Sequence, residues 1–170
     1  ALLFATDSPN RDADHMMPAA EWRFRPSLQV IADRLAQGKL GAPGLLRIHR
    51  WTSAASLLAD IDIACWLFSS EPDTVYAVSR PGYLQTHLGF RSGGMAIIDH
   101  ASDLKSNQGY ESVTMIGSDG AAYADDHHNT NLIYGSPGCQ GLKTPEGDSG
   151  LVGMLKAFVS AVRKESGFPV

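Results

Sequence analysis

The densest group of ligand-type side chains is Asp125-Asp126-His127-His128, two carboxylates followed by two imidazoles. Such a set suits a hard or borderline cation. Neighbours along an extended chain point to opposite faces, so at most two of the four converge, and a polar strand end is the plainer reading. Asp99-His100 reads the same way. Asp60 and Asp62 lie two apart in a helical pattern, about 200° around the axis, so they cannot serve one substrate as a carboxylate pair. Asp62 is expected to be a polar anchor at the helix edge. No GxSxG nucleophile elbow occurs, and Ser149-Gly150 follows a loop rather than a strand. Gly38, Gly41 and Gly44 make a GxxGxxG, but between a helix and a strand. A pyrophosphate cradle needs the opposite order, strand then turn then helix. GxGxxG and GxxxxGK[ST] are both absent. These motifs therefore assign no catalytic, cofactor-binding or metal-binding residue.

The elements that would carry any site follow from hydrophobic period. Residues 7–18 are polar and proline-marked and read as a loop. A helix starts at Pro26, with Leu28, Ile31, Ala32 and Leu35 at i, i+3, i+4, i+7, and Gly38 suits its left-handed end. Leu45–Trp51 alternates as a strand, with Leu46 and Ile48 on one face and Arg47, His49 and Trp51 on the other. A second helix spans Ser56–Phe68, its stripe read as Leu57, Leu58, Ile61, Cys65 and Phe68. Strands are then expected at Val75–Arg80, Leu84–Arg91, Met95–His100, Tyr110–Ile116, Ala121–Asp125 and Asn131–Tyr134. Asp119-Gly120 signals a type I′ hairpin. Residues 135–147 read as a long Gly-, Pro- and Ser-rich loop. A last helix runs from about Ser149 to Lys164, capped by Asp148 or Ser149, with Leu151, Met154, Leu155, Phe158 and Val162 as its stripe. Consecutive strands on short turns pair antiparallel. The expectation is one α+β domain over 1–170, with a loop-like segment at 1–15. Its core is a mostly antiparallel, open-faced sheet of about six strands with helices on one face.

Composition closes off several classes. The chain has 170 residues, 44% hydrophobic and 19% charged, with 14 basic and 18 acidic side chains and a net charge of −4. That balance argues against a nucleic acid or an anionic membrane as partner, and no apolar run reaches the length of a membrane span. Cys65 and Cys139 form neither a CxxC nor a metal spacing, as in a reduced, cytoplasmic chain.

The uncovered sheet face is the informative surface. Arg47, His49, Trp51, Tyr76, Gln85, His87 and Arg91 share it if the register allows. That mixture is too apolar for a solvated face and too polar for a core, which fits an interface or a wet ligand site. Trp stacks on sugar C–H faces, and Arg and His donate to hydroxyls. A small polyhydroxylated ligand is therefore expected near Arg23, Arg47, His49 and Trp51, and a homo-oligomer through the face around them, His87 and Arg91 included.

Three segments, in order, resemble a known family: Arg23-Phe24-Arg25-Pro26 with the helix running into Gly38-Lys39-Leu40-Gly41; Asp60-Ile61-Asp62-Ile63-Ala64-Cys65-Trp66-Leu67-Phe68; and Gly109-Tyr110-Glu111-Ser112 through Ile116-Gly117-Ser118-Asp119-Gly120-Ala121. Together they are similar to the C-terminal domain of the Gfo/Idh/MocA oxidoreductases (glucose–fructose oxidoreductase, inositol dehydrogenase, MocA), over about residues 16–165. The resemblance implies an open-faced, mostly antiparallel sheet that shapes a sugar or polyol pocket and builds a dimer. It also implies an N-terminal Rossmann domain and a Glu-Lys-Pro motif, neither of which is present, and no lysine precedes Lys39. The family's aspartate and proton-transferring histidine, four apart, fall at Ala55 and Ala59, and alanine moves no proton. The chain is thus expected to bind no cofactor and to act as a non-catalytic oligomerisation or sugar-binding module. NAD(P) enters only if a Rossmann domain precedes it. The rival is the substrate-binding and dimerising half of an NAD(P)-dependent sugar or polyol oxidoreductase, with a metal enzyme around Asp125–His128 as a third reading.

Overall fold

A computed structural model describes residues 2–4, 16–18, 20–51, 56–102, 109–125, 130–135, 138–144, 150–164 and 166–167. The chain divides into two compact units, one formed by Ala1–Pro26 with Gly147–Val170 and the other by Ser27–Glu146.

The first unit holds two short parallel strands, β1 (Leu2–Phe4) and β2 (Met16–Pro18), a 3-10 turn at Glu21–Phe24, and helix α3 (Leu151–Val162). β2 lies inside the segment expected as loop. Helix α3 packs on the 3-10 turn. Its buried residues are Met154 and Ala161, while Leu151, Leu155 and Val162 of the expected stripe are exposed. Asp148 and Ser149, the expected caps, lie outside the described residues; Gly150 occupies the cap.

The second unit is a sheet with two helices. Helix α1 (Pro26–Ala36) begins on proline, whose fixed φ suits a first turn, and Gly38 follows at φ +68°. Strand β3 (Pro43–Trp51) leads to helix α2 (Leu57–Phe68). Then come β4 (Thr74–Arg80), β5 (Tyr83–Gly89), β6 (Met95–Ala101), β7 (Tyr110–Gly117), β8 (Ala121–Asp125), β9 (Thr130–Gly135) and β10 (Gly138–Lys143). Their spatial order is β10-β9-β8-β7-β3-β6-β5-β4. Only β3 and β6 run parallel; every other neighbouring pair is antiparallel. Among the described residues no helix is long and apolar enough to cross a membrane.

The sheet thus has eight strands, more than the expected six or so and one beyond the seven segments read as strands. The added one, β10, falls in the stretch expected as a loop. Its residues, Gly138-Cys139-Gln140-Gly141-Leu142-Lys143, have no hydrophobic alternation, and backbone pairing to β9 alone makes them a strand. The β7–β8 hairpin is present, but neither Asp119 nor Gly120 has positive φ, so the turn is not type I′. Gly120 is needed for space instead: a Cβ there would sit 2.3 Å from the Tyr134 carbonyl oxygen. Strand β5 stops at Gly89, and Arg91 lies in the turn beyond it.

Cross-strand partners fix the two faces. Leu46 and Ile48 share one with Met115 and Val113 of β7, Ala96 and Ile98 of β6, and Ala122 and Ala124 of β8. All eight are buried. Both helices lie on this side. α2 packs on β3 and β6. α1 is tied to β9 by the buried Asn131, whose Nδ2 donates to the Ser27 carbonyl at 2.8 Å. The buried stripe of α2 is Asp60, Ile63, Ala64, Leu67 and Phe68, spaced i, i+3, i+4, i+7, i+8. This corrects the expected stripe, of which only Phe68 is buried and Leu58 is 63% exposed. The helix is rotated because Asp60, a charged residue, faces inward to partners waiting there.

Candidate functional site

Strand β3 carries an arginine to each side of the sheet. Alternation sends Arg47, His49 and Trp51 to the open face and Arg50 toward the helices. On the open face Asp99 of β6 stands beside His49 and between β3 and β5. Its Oδ2 accepts from Arg47 Nε at 2.9 Å and Nη2 at 2.8 Å, and its Oδ1 accepts from Gln85 Nε2 at 2.6 Å. Gln85 Oε1 is 3.0 Å from His87 Nε2. Partial burial pushes the Asp99 carboxyl up, but hydrogen bonds from Gln85 and Arg47 and the positive charge of Arg47, with a smaller contribution from His49, outweigh it. The carboxyl is held below its ordinary value.

The row toward the end of the strands runs Tyr110, Trp51, Ala101, Tyr83, Arg80 across β7, β3, β6, β5 and β4. Ala101 leaves a notch between two larger rings. A cavity of about 530 Å³ opens there, walled by Trp51, Tyr83 and Arg80 and backed by Asp99 and Gln85. His49 braces it, edge-on to Trp51 at 6.2 Å and to Tyr110 at 5.7 Å between ring centres.

The other half of this face, on β7, β8 and β9, is more apolar. Ile116, Tyr123, Leu132 and Tyr134 are exposed, and Tyr123 meets Tyr134 edge-on at 5.5 Å. Tyr134 faces Cys139 of β10, and a hydrogen bond to that thiol raises the phenol above its ordinary pKa.

Beneath the sheet lies a cluster that sequence reading missed. Asp60, fully buried, accepts from Arg50 Nε at 2.6 Å and pairs with His100 Nε2 at 2.6 Å. Arg50, 2% exposed, also donates to Glu111 Oε2 at 2.5 Å. The inward residue is therefore Asp60 and not Asp62. Its place at the head of the spacing 60, 63, 64, 67, 68 was the available signal.

The sequence-selected residues are only partly brought together. Arg47, His49, Trp51, Tyr76, Gln85 and His87 share the open face, as the register required. Arg91 does not, being in a turn, and Arg23 belongs to the other compact unit. Ala59 sits in the first turn of α2, its N–H donating to the Ser56 hydroxyl at 3.4 Å; Ala55 lies outside the described residues. Of Asp125–His128 only Asp125 is described, 3.4 Å from the Tyr110 hydroxyl. Among the described residues no three His, Cys, Asp or Glu side chains are placed to hold a metal ion. The glycine turn does not fit a dinucleotide: it joins α1 to β3, and a Cβ on Gly41 would fall 2.1 Å from Ser118 Oγ, so the turn is packed against its neighbours.

No protein-family model matches the chain, and no curated protein matches it. Solved structures do. A levoglucosan dehydrogenase, in complex with NADH and levoglucosan, superposes with a TM-score of 0.74 at 12% identity, over 88% of this chain and 58% of that one. A UDP-N-acetylglucosamine 3-dehydrogenase from Acidithiobacillus ferrooxidans gives 0.73 at 18% identity, over 88% and 53%. An oxidoreductase from Agrobacterium radiobacter, solved with NAD+, L-tartaric acid and magnesium, gives 0.71 at 12%, over 89% and 56%. The fold is that of the C-terminal domain of Gfo/Idh/MocA-type oxidoreductases, as the three sequence segments implied. The chain spans a little over half the length of these structures.

Proposed function

We propose that this chain is a non-catalytic assembly module that pairs two copies through the open sheet face and holds a small ligand at the Trp51 end. One observation carries the reading. Among the described residues of this unit, α1 and α2 pack against one side of the eight-stranded sheet, and the other side exposes Trp51, Ile116, Tyr123, Leu132 and Tyr134. A solvated antiparallel face is ordinarily polar at these positions, and contiguous apolar surface of this kind marks an interface. Ala59 and the packed glycine turn support the non-catalytic part. The test is light scattering on the chain at high concentration: a mass twice 18.2 kDa supports the reading, and a single 18.2 kDa species contradicts it.

A second reading has its own observation. The structural neighbours solved with NADH or NAD+ extend well beyond the part that this chain matches, which is 58% and 56% of their length. On that reading it is the substrate-binding and dimerising part of an NAD(P)-dependent sugar or polyol oxidoreductase working in the cytoplasm. A reading frame with a GxGxxG domain ahead of Ala1 would favour it.

A further inference from the structure

We infer that the notch over Ala101 binds a small ring-bearing anion, its ring between Trp51 and Tyr83 and its negative group on the Arg80 guanidinium. This deepens the ligand half of the proposed function and names a cation that motif reading did not select. The row Trp51, Ala101, Tyr83, Arg80 is set by backbone pairing across β3, β6, β5 and β4. Trp51 and Tyr83 stand two strand spacings apart, about 10 Å, and side chains rise roughly perpendicular to a sheet. One ring fits between them over the alanine.

Charge decides what the ring carries. Both oxygens of Asp99 are already occupied, one by Gln85 and the other by Arg47. The one carboxylate lining the notch is thus neutralised from within. Arg80, by contrast, is exposed and among the described residues donates only to the neighbouring Ser79 carbonyl, at 2.9 Å. Among the described residues its remaining N–H groups meet no acceptor, and Arg47 adds a second guanidinium on the same face. The walls hold two arginines against one carboxylate, a local excess of positive charge on a chain of net charge −4. A cationic ligand would meet this excess, whereas an anion gains charge-assisted bonds from a fork-shaped donor suited to carboxylate and phosphate. The Tyr83 hydroxyl, also without a partner among the described residues, offers one further bond.

The chemistry is shared by sugar acids and aromatic acids, so the experiment carries both. The chain is titrated with D-glucuronate and benzoate, and with their uncharged counterparts D-glucose and benzyl alcohol, each followed by calorimetry and by the fluorescence change lost in Trp51→Phe. At least one anion is expected to bind tenfold or more tightly than its uncharged counterpart. Arg80→Gln should remove that advantage and leave the weak binding of the uncharged compound in place. If glucuronate alone shows the preference, the ring is a sugar; if benzoate alone, it is aromatic. Failure of both anions to bind up to about 10 mM (a free energy weaker than about −3 kcal/mol) overturns the inference, as does binding that Arg80→Gln does not weaken. Solution mass is measured on the same samples, so a monomer that still binds the anion refutes the pairing and not the site.

Discussion

Strand β3 builds two arginine–carboxylate clusters from one alternating sequence, and they differ in almost everything but chemistry. Arg47 and Asp99 meet on the open face, with the arginine side chain 56% exposed. Arg50, Asp60, Glu111 and His100 meet under the sheet, where Arg50 is 2% exposed and Asp60 is fully buried. In water an ion pair contributes little, because solvent screens it and two long side chains must be ordered. Out of water, each charge has lost its hydration and depends on its partners, so breaking the set is costly even if forming it gained little. The buried cluster therefore fixes the rotation of α2 on the sheet. The exposed one leaves arginine surface available to something that arrives.

Three substitutions sharpen this contrast. Arg50→Ala removes the guanidinium that both Asp60 and Glu111 hold and should cost about 3–5 kcal/mol in chemical denaturation; a loss under 1 kcal/mol would show that the inner cluster is wetter than its burial implies. Arg47→Ala should cost no more than about 1 kcal/mol in the same assay, because the pair it breaks is exposed. A loss equal to that of Arg50→Ala would erase the distinction between the faces. The smallest effect is the pH dependence from Asp99. Its folded pKa lies below the ordinary 3.8, so its contribution is present above that value and is lost as pH falls through the folded pKa. Asp99→Asn should accordingly be slightly less stable at neutral pH and lose less stability than the parent on acidification below 3.8. Parallel acid limbs for the two proteins would contradict the network.

The legible parts of the fold are those that repeat. Period-two alternation told which residues of β3 face the same way, and glycine and proline marked the ends of α1. Register was not legible, because alternation fixes a side of the sheet but not a neighbour; that Ala101 lies between Trp51 and Tyr83 follows only from pairing. β10 escaped notice because an edge strand can be held by backbone bonds with no apolar pattern. Asp60 escaped because its partners, Arg50 and His100, are 10 and 40 residues away, and an isolated aspartate reads as outward-facing. In the sequence Arg80 is only the end of a strand, and nothing near it says that two aromatic rings flank the same row.

The account stands or falls on the open face being an interface. Sedimentation equilibrium of the parent chain and of the double variant Tyr123→Glu, Leu132→Glu tests this directly, with circular dichroism to confirm that both are folded. The account predicts a parent of twice 18.2 kDa and a folded variant of 18.2 kDa. A folded variant that keeps the parent's mass, whether single or double, would contradict it.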